Sequence, residues 1–367
     1  MKILLANASF APKNGGPSYS LVRLATALAD RGLDVALWAA DQSAGSRVPH
    51  KSVRGLNGSV THALREFGRP DVLHDNGIWL PHNHRLAMFA AEHRIPRIVS
   101  TRGMLEPWAR RHKKLKKTIA WWLFQKRDLQ QAALLHATAT QEARNLHLLG
   151  LELPVSVIPD GTDLPETRDQ STNQAKKDRT ALFLGRIYPV KGLLMLVEAW
   201  AQVRPQGWRL QIAGPDEDGH RAEVERAVSR AGLDGSVSFL GPVEGEAKSF
   251  AYANADLFVL PSHSESFGMV VAEALAHGVP VLTTRGTPWG QLAERECGWW
   301  VDATVAGLTR GLREAAAEPV SVLRIMGLRG RDWMATDFGW EAIACRFMDV
   351  YEQVVREHDR QTCMNRM

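Results

Sequence analysis

Cysteine is scarce in this sequence: Cys297, Cys345 and Cys363 are the three among 367 residues. Widely spaced and odd in number, they offer neither a disulfide framework nor a metal-ligand spacing, and they fit a reducing cytoplasm. Long apolar runs are missing too. No stretch approaches the roughly 20 residues that a transmembrane helix needs, so none is expected. The amino terminus, Met1-Lys-Ile-Leu-Leu-Ala, superficially resembles the start of a signal peptide. Asn7, Lys13 and Asn14 interrupt it, and a first β-strand is the better reading. No sequence repeat and no long low-complexity tract is found. No Asp-x-Asp pair is read in a loop following a strand, so divalent-metal catalysis has no candidate site and no structural metal is expected.

What is present bounds the class. The length fits two domains of ordinary size, and 45% hydrophobic with 23% charged residues is a globular composition. A net charge of +5 and a pI near 9.2 point to an anionic partner. Short apolar runs alternate with helical patterns throughout, as parallel sheets with crossover helices require. Strands are expected at Lys2–Ala8, Asp34–Trp38, Asp71–His74, Arg97–Thr101 and Leu134–Ala137, with Val155-Ser-Val-Ile-Pro-Asp160-Gly161 closing the first half. Residues 165–179 are polar and lack an apolar run, which marks a linker. A second series follows at Ala181–Leu184, Arg209–Ala213, Val237–Leu240, Asp256–Leu260 and Val279–Thr283, with helices after about Val305. The division expected is 1–164, a linker at 165–179, 180–337, and a last helix with a mobile tail at 338–367.

The segment richest in chemistry is Pro261-Ser-His-Ser-Glu265-Ser-Phe-Gly268-Met-Val-Val-Ala-Glu273-Ala-Leu. Leu257–Leu260 before it reads as a buried strand, and Met269–Ala276 as a helix after a turn at Phe267-Gly268. Glu265 then lies at a strand's carboxyl end, where open α/β sheets bind ligands. The helix start suits a phosphate, and Glu273, about one and a half turns in, suits the two hydroxyls of a ribose. An isolated pair of glutamates eight apart would be an ordinary surface feature. Here it is followed by Ala-His-Gly-Val-Pro-Val and a second strand, Val281–Thr284.

That whole string resembles the donor-site signature of the retaining glycosyltransferases of family 4, which have the GT-B fold. The resemblance implies two Rossmann-like, doubly wound parallel-sheet domains facing a central cleft, with the last helix crossing back onto the first. Phe338 to Glu357, with Ile343, Phe347, Val350, Tyr351 and Val354 at helical spacing, is the candidate for that helix. The resemblance covers almost the whole chain, is strongest over 181–302, and is loose in the first domain.

It also assigns roles. Arg186 and Lys191, five apart in Gly185-Arg-Ile-Tyr-Pro-Val-Lys-Gly192, match the basic pair that holds the donor pyrophosphate. Without that context they would be a solvated loop. Gly15 and Gly16 resemble the glycine turn where bare backbone nears the donor phosphates, and Gly214 a turn near the nucleotide or an ordinary strand exit. Glu265 is implied to contact the transferred sugar and Glu273 the ribose, with backbone N–H groups from Ser266 through Phe267 and Gly268 to Met269 meeting the phosphates. Basic side chains and helix dipoles replace a metal in this family, so no cofactor is expected beyond a UDP- or GDP-linked sugar as substrate.

The sequence departs from the family twice. Arg102-Gly103-Met104 stands where many members carry a histidine beside the transferred sugar. Arginine stays charged and cannot act as a base; Arg102 either contacts a donor phosphate or an acidic acceptor group, or merely closes its strand. Asp75 and Trp79, at a neighbouring strand exit, are candidate acceptor contacts. Second, Thr284-Arg-Gly-Thr-Pro-Trp289-Gly replaces a Gly-Gly-x-x-Glu turn, and Trp289 is either a stacking surface for sugar or base or a core plug.

Trp108 to Arg127 contains eight Lys or Arg and no acid. With its tryptophans it suits an anionic membrane surface. Alternatively, Leu115, Ile119, Trp122 and Leu123 face the core and the lysines are merely solvated. No nucleic-acid recognition motif accompanies the charge. The expectation is therefore a retaining, metal-independent hexosyltransferase. It would move a sugar from a nucleotide diphosphate to a polysaccharide or lipid-linked oligosaccharide, in the cytoplasm at the inner face of the membrane. A sugar-nucleotide epimerase on the same fold and a catalytically silent glycan- or lipid-binding scaffold are the alternatives.

Overall fold

The computed structural model describes residues 1–11, 16–45, 50–111, 114–166 and 178–364. It separates into two compact units: Met1–Gly161 together with Trp340–Met367, and Thr162–Gly339. Most of the expected linker, residues 167–177, lies outside the described residues, as does the end of the chain beyond Met364.

Unit 1 is built on seven parallel strands: β1 (Lys2–Asn7), β2 (Asp34–Ala39), β3 (Val53–Leu56), β4 (Val72–Asn76), β5 (Arg97–Ser100), β6 (Leu134–Ala137) and β7 (Val155–Val157). Their order in the sheet is β3-β2-β1-β4-β5-β6-β7. The central strands read as continuous apolar runs because both faces are covered. Ile3 and Leu5 of β1 join Val35 and Leu37 in one core layer, while Leu4 and Ala6 join Ala36 and Trp38 in the other. The helix Trp340–Met364 supplies Ile343, Ala344, Phe347, Tyr351 and Val354 to the first layer, so the crossing-back helix belongs to this unit. It begins two residues later than expected, since Phe338 ends the preceding helix, and it continues to Met364, into the tail expected to be mobile. His358 in that stretch bonds the Arg94 carbonyl at 2.9 Å.

Unit 2 has six parallel strands: β8 (Arg179–Leu184), β9 (Trp208–Ala213), β10 (Val237–Gly241), β11 (Leu257–Leu260), β12 (Val281–Thr284) and β13 (Gly298–Val301). Their order is β10-β9-β8-β11-β12-β13. The order reverses between β8 and β11, as it does between β1 and β4 in unit 1, and a doubly wound sheet opens its ligand crevice at that reversal. Two strands escape the sequence reading, β3 (Val-Arg-Gly-Leu) and β13 (Gly-Trp-Trp-Val). Both lie at sheet edges, where half-exposed residues replace the apolar run. Among the described residues no helix is long and apolar enough to cross a membrane.

Candidate functional site

In unit 2, β8 and β11 are neighbours, so the loops leaving their carboxyl ends run side by side. His263 N–H donates to the Val190 carbonyl at 2.8 Å. Gly192 lies in the left-handed region (φ 69°), and any side chain there would strike the Pro261 carbonyl. This lacing brings Lys191 onto Glu265 across 74 residues of chain: Nζ is 2.5 Å from Oε1. Ser262 Oγ donates to the same oxygen at 2.6 Å. Both side chains are close to buried, 13% and 12% exposed. Oε2 takes no hydrogen bond from the described residues, and Lys191 keeps two further N–H donors. The pair is fixed in place yet retains bonding capacity.

Behind it, Glu265 N–H donates to the Gly286 carbonyl at 2.8 Å. A Cβ on Gly286 would come within 2.5 Å of the Ser262 and His263 carbonyls, so glycine permits this close packing. Trp289 is the core plug of its two readings. It is 2% exposed, packs on Phe267, Trp333 and Phe338, and donates its indole N–H to the Phe267 carbonyl at 2.6 Å. That bond anchors the Ser266-Phe267-Gly268 turn. Gly268, left-handed at φ 82°, opens the helix Met269–Ala276, and no side chain caps it. Its dipole and first N–H groups suit an anion.

Glu273 lies in that helix with both oxygens engaged. Lys248 Nζ is 2.6 Å from Oε1, and the buried Tyr252 hydroxyl donates to Oε2 at 2.8 Å. A carboxylate has about four acceptor sites, so hydroxyl donors can still be taken. Burial, then the Glu273 charge, drives the Tyr252 phenol well above its ordinary pKa, so it stays protonated and donates. Neither Lys248 nor Tyr252 stood out in the sequence. They sit four apart on the helix Gly245–Ala253, with no motif to flag them.

Arg186 does not share a partner with Lys191. It pairs with Glu217 after β9 at 2.5 Å, and its side chain is 55% exposed. Gly185 and Gly214 bring these two strand exits together, since a Cβ on Gly214 would overlap the Gly185 carbonyl. The reading that no Asp-x-Asp follows a strand is corrected here: Asp216-Glu217-Asp218 follows β9. An Asp216 oxygen accepts from the Arg221 N–H at 2.9 Å, and Glu217 is held by Arg186. Among the described residues no three His, Cys, Asp or Glu gather as metal ligands.

In unit 1, Gly16 opens the helix Gly16–Asp30 after β1, while Gly15 lies outside the described residues. Arg102 is strained (φ 51°) and its side chain is 5% exposed. It donates to Asn76 Oδ1 at 3.1 and 3.0 Å and to Asp160 at 2.7 Å, tying the exits of β4, β5 and β7. Asp75 is not available as an acceptor contact. It is fully buried and bonded to Asn83 at 2.8 Å and Arg97 at 3.2 Å. Burial raises its pKa to about 7 against the opposing pull of Arg97. Trp79 is half-buried, its indole on the Met104 carbonyl at 3.3 Å.

Residues 15–161 match the family described as glycosyl transferase 4-like domain, and residues 166–333 match glycosyl transferases group 1. The chain belongs to the family 4 glycosyltransferases. A D-inositol 3-phosphate glycosyltransferase of Pseudarthrobacter chlorophenolicus is 25% identical over 94% of this chain and 91% of its own length. One of the same name from an Arthrobacter strain is 31% identical over 56% of this chain and 51% of its own length. Several such relatives are matched over only about half their length. The Anabaena protein HepE, solved in complex with UDP and glucose, superposes with a TM-score of 0.74 at 20% identity, covering 96% of this chain and 100% of HepE. The fold of this glycosyltransferase is GT-B, with Lys191, Glu265 and Glu273 all on the second sheet's switch-point side.

Proposed function

We propose that this glycosyltransferase moves a sugar from a UDP- or GDP-linked donor to a hydroxyl of a polysaccharide or lipid-linked oligosaccharide, with retained anomeric configuration and no resident metal. The observation that carries the reading is the Lys191–Glu265 pair at the mouth of the helix Met269–Ala276. Its ammonium has donors to spare for diphosphate oxygens, and the carboxylate has a spare oxygen for a sugar hydroxyl. HepE with UDP and glucose supports a nucleotide-sugar donor. The diphosphate lies at the helix start among Ser266 to Met269, with Gly214 in the turn beside the nucleotide. Lys191 and Arg186 offset the charge that builds on the departing nucleotide. The acceptor oxygen bonds to the anomeric carbon on the face from which the diphosphate oxygen leaves, and that leaving oxygen takes the acceptor's proton. Arg102 holds the unit 1 strand exits in place rather than transferring a proton.

Sugar-nucleotide epimerisation finds no support in the family matches. The work is done at the inner face of the cytoplasmic membrane, a setting supported by the basic segment from Trp108 to Arg127.

Two substitutions test the site. Glu273→Gln should weaken UDP or GDP binding about tenfold by calorimetry, because the amide keeps half the acceptor capacity. Glu265→Gln should bind the nucleotide normally and turn over poorly. The reverse order would overturn the assignment. Acceptor trials should set lipid-linked saccharides against inositol 3-phosphate, the compound in the relatives' name, with EDTA present throughout. Activity lost to EDTA and restored by magnesium or manganese would refute metal independence.

A further inference from the structure

The basic segment presents two different faces. Trp121, Phe124, Gln125 and Leu129 turn inward. Trp121 lies 6.3 Å from the Trp79 ring, Phe124 lies 5.3 Å from His84, and Gln125 accepts the Trp79 N–H at 2.7 Å. The opposite face carries Leu115, Ile119, Trp122 and Leu123, which are 75%, 52%, 73% and 73% exposed. The alternative in which these four face the core is thereby overturned. Their spacing follows helical geometry, one stripe along the continuous run from Lys114 to Gln130. A π-helical turn at Trp121–Gln125 widens the helix where the tryptophans part, one inward and one outward.

Cations fringe the stripe. Arg111, Lys114, Lys116 and Arg127 are exposed, and the Lys126 ammonium lies 5.7 Å from the Trp122 ring. Four large apolar side chains held outward together are more than the scattered apolar exposure of an ordinary surface. A solvated charged face has no need of them.

We propose that Leu115, Ile119, Trp122 and Leu123 enter the acyl boundary of an anionic bilayer while the surrounding lysines and arginines hold its phosphates. This deepens the membrane setting of the proposed function: the contact is insertion by an apolar stripe and not electrostatic adsorption alone. Charge complementarity selects the partner, since an acid-free cationic fringe would repel a second copy of itself. The inference rests on the exposure of the stripe and is independent of the donor site.

Flotation of the full chain with phosphatidylcholine vesicles, with or without one-third phosphatidylglycerol, tests it. The wild type should float with the anionic vesicles, and a measurable fraction should stay bound at about 0.5 M salt, where exposed charges are screened. Trp122→Ser combined with Leu123→Ser should bind about a hundredfold more weakly and lose the salt-resistant fraction. Its melting temperature and the rise caused by UDP should be unchanged, which separates failure of insertion from failure of the donor reading. Lys114→Glu with Lys116→Glu should weaken binding to anionic vesicles only. Vesicle binding that salt abolishes and the Ser variant leaves intact would overturn insertion. So would a wild type that ignores vesicles and instead forms a dimer that the Ser variant lacks.

Discussion

At the carboxyl ends of their strands the two units handle charge in opposite ways. In unit 1, Arg102 is committed to Asn76 and Asp160, and Asp75 is sunk against Arg97 and Asn83. The buried Glu142 carboxylate accepts four bonds, from Thr101, Gly103 and two donors of Thr138. In unit 2, Lys191, Glu265 and Glu273 are also paired, but they reach solvent and keep donors or acceptors in reserve. A buried, saturated polar group holds loops together. A partly open, unsaturated one can exchange a partner for a ligand.

The contrast breaks first at Asp75. Asp75→Ala takes the carboxylate partner from the buried Arg97, which keeps only the Asn83 and Asp128 carbonyls and the Asp128 charge near it, so urea unfolding should show a loss of up to about 3–5 kcal/mol. Lys191→Ala should cost less, because the Glu265 carboxylate left behind is 12% exposed and keeps the Ser262 hydroxyl. Equal losses would mean that the two pairs are not different in kind.

Next in size is the response to acid. Tyr351, His74, Ser100, His136 and the Ile158 carbonyl form a chain of hydrogen bonds at 2.8, 2.7, 2.6 and 2.8 Å. One direction satisfies every member: the phenol donates to His74 Nδ1, His74 Nε2 to Ser100, Ser100 to His136 Nδ1, and His136 Nε2 to the carbonyl. Both histidines must then be neutral. Burial, followed for His136 by the Arg102 charge, pushes its pKa down to about 4, and burial followed by His136 depresses His74 well below its usual value. The unfolded histidine binds its proton near pH 6.5. Their contribution is therefore full above about 6.5 and is lost as pH falls towards 4, on the order of 3 kcal/mol for His136. Asp75, whose pKa is raised to about 7, pulls the other way, so net stability will show less. Histidine NMR titration isolates the effect: two imidazoles should remain neutral at pH 5. Protonation of both near 6.5 would refute the chain.

Turnover sharpens the comparison within unit 2. Lys191→Ala should lower kcat about a hundredfold and the exposed Arg186→Ala about tenfold, each factor of ten being about 1.4 kcal/mol of barrier. The opposite order would place Arg186 at the centre of the site. The smallest effect is expected at Trp289→Phe, which keeps an aromatic ring in the core but deletes the pyrrole portion of the indole with its N–H to the Phe267 carbonyl. Donor KM should rise several-fold with kcat little changed, consistent with about 1 kcal/mol for one hydrogen bond. An unchanged KM would show that the Ser266–Gly268 turn holds itself.

Much of this was legible in the residue string because it is local. Buried parallel strands announce themselves as short apolar runs, and Glu265, Gly268 and Glu273 lie within one strand-turn-helix unit. The edges were not legible: Val53–Leu56 and Gly298–Val301 carry too little apolar signal. The helix through His358 to Met364 was hidden because its polar end looked like a tail.

Local order along the chain carries the alternation of strands and helices, the family, and the placing of Glu265 on a loop with Glu273 in the next helix. Each of those follows from neighbours along the chain. The fold was needed to show that Lys191 meets Glu265, that Lys248 and Tyr252 hold Glu273, and that Trp289 plugs a core. It alone showed that Asp75 is buried while Trp122 is exposed. Which residues meet across a parallel sheet depends on strand order, and which face of a helix is wet depends on what packs behind it. Neither is written in the spacing of residues along the chain.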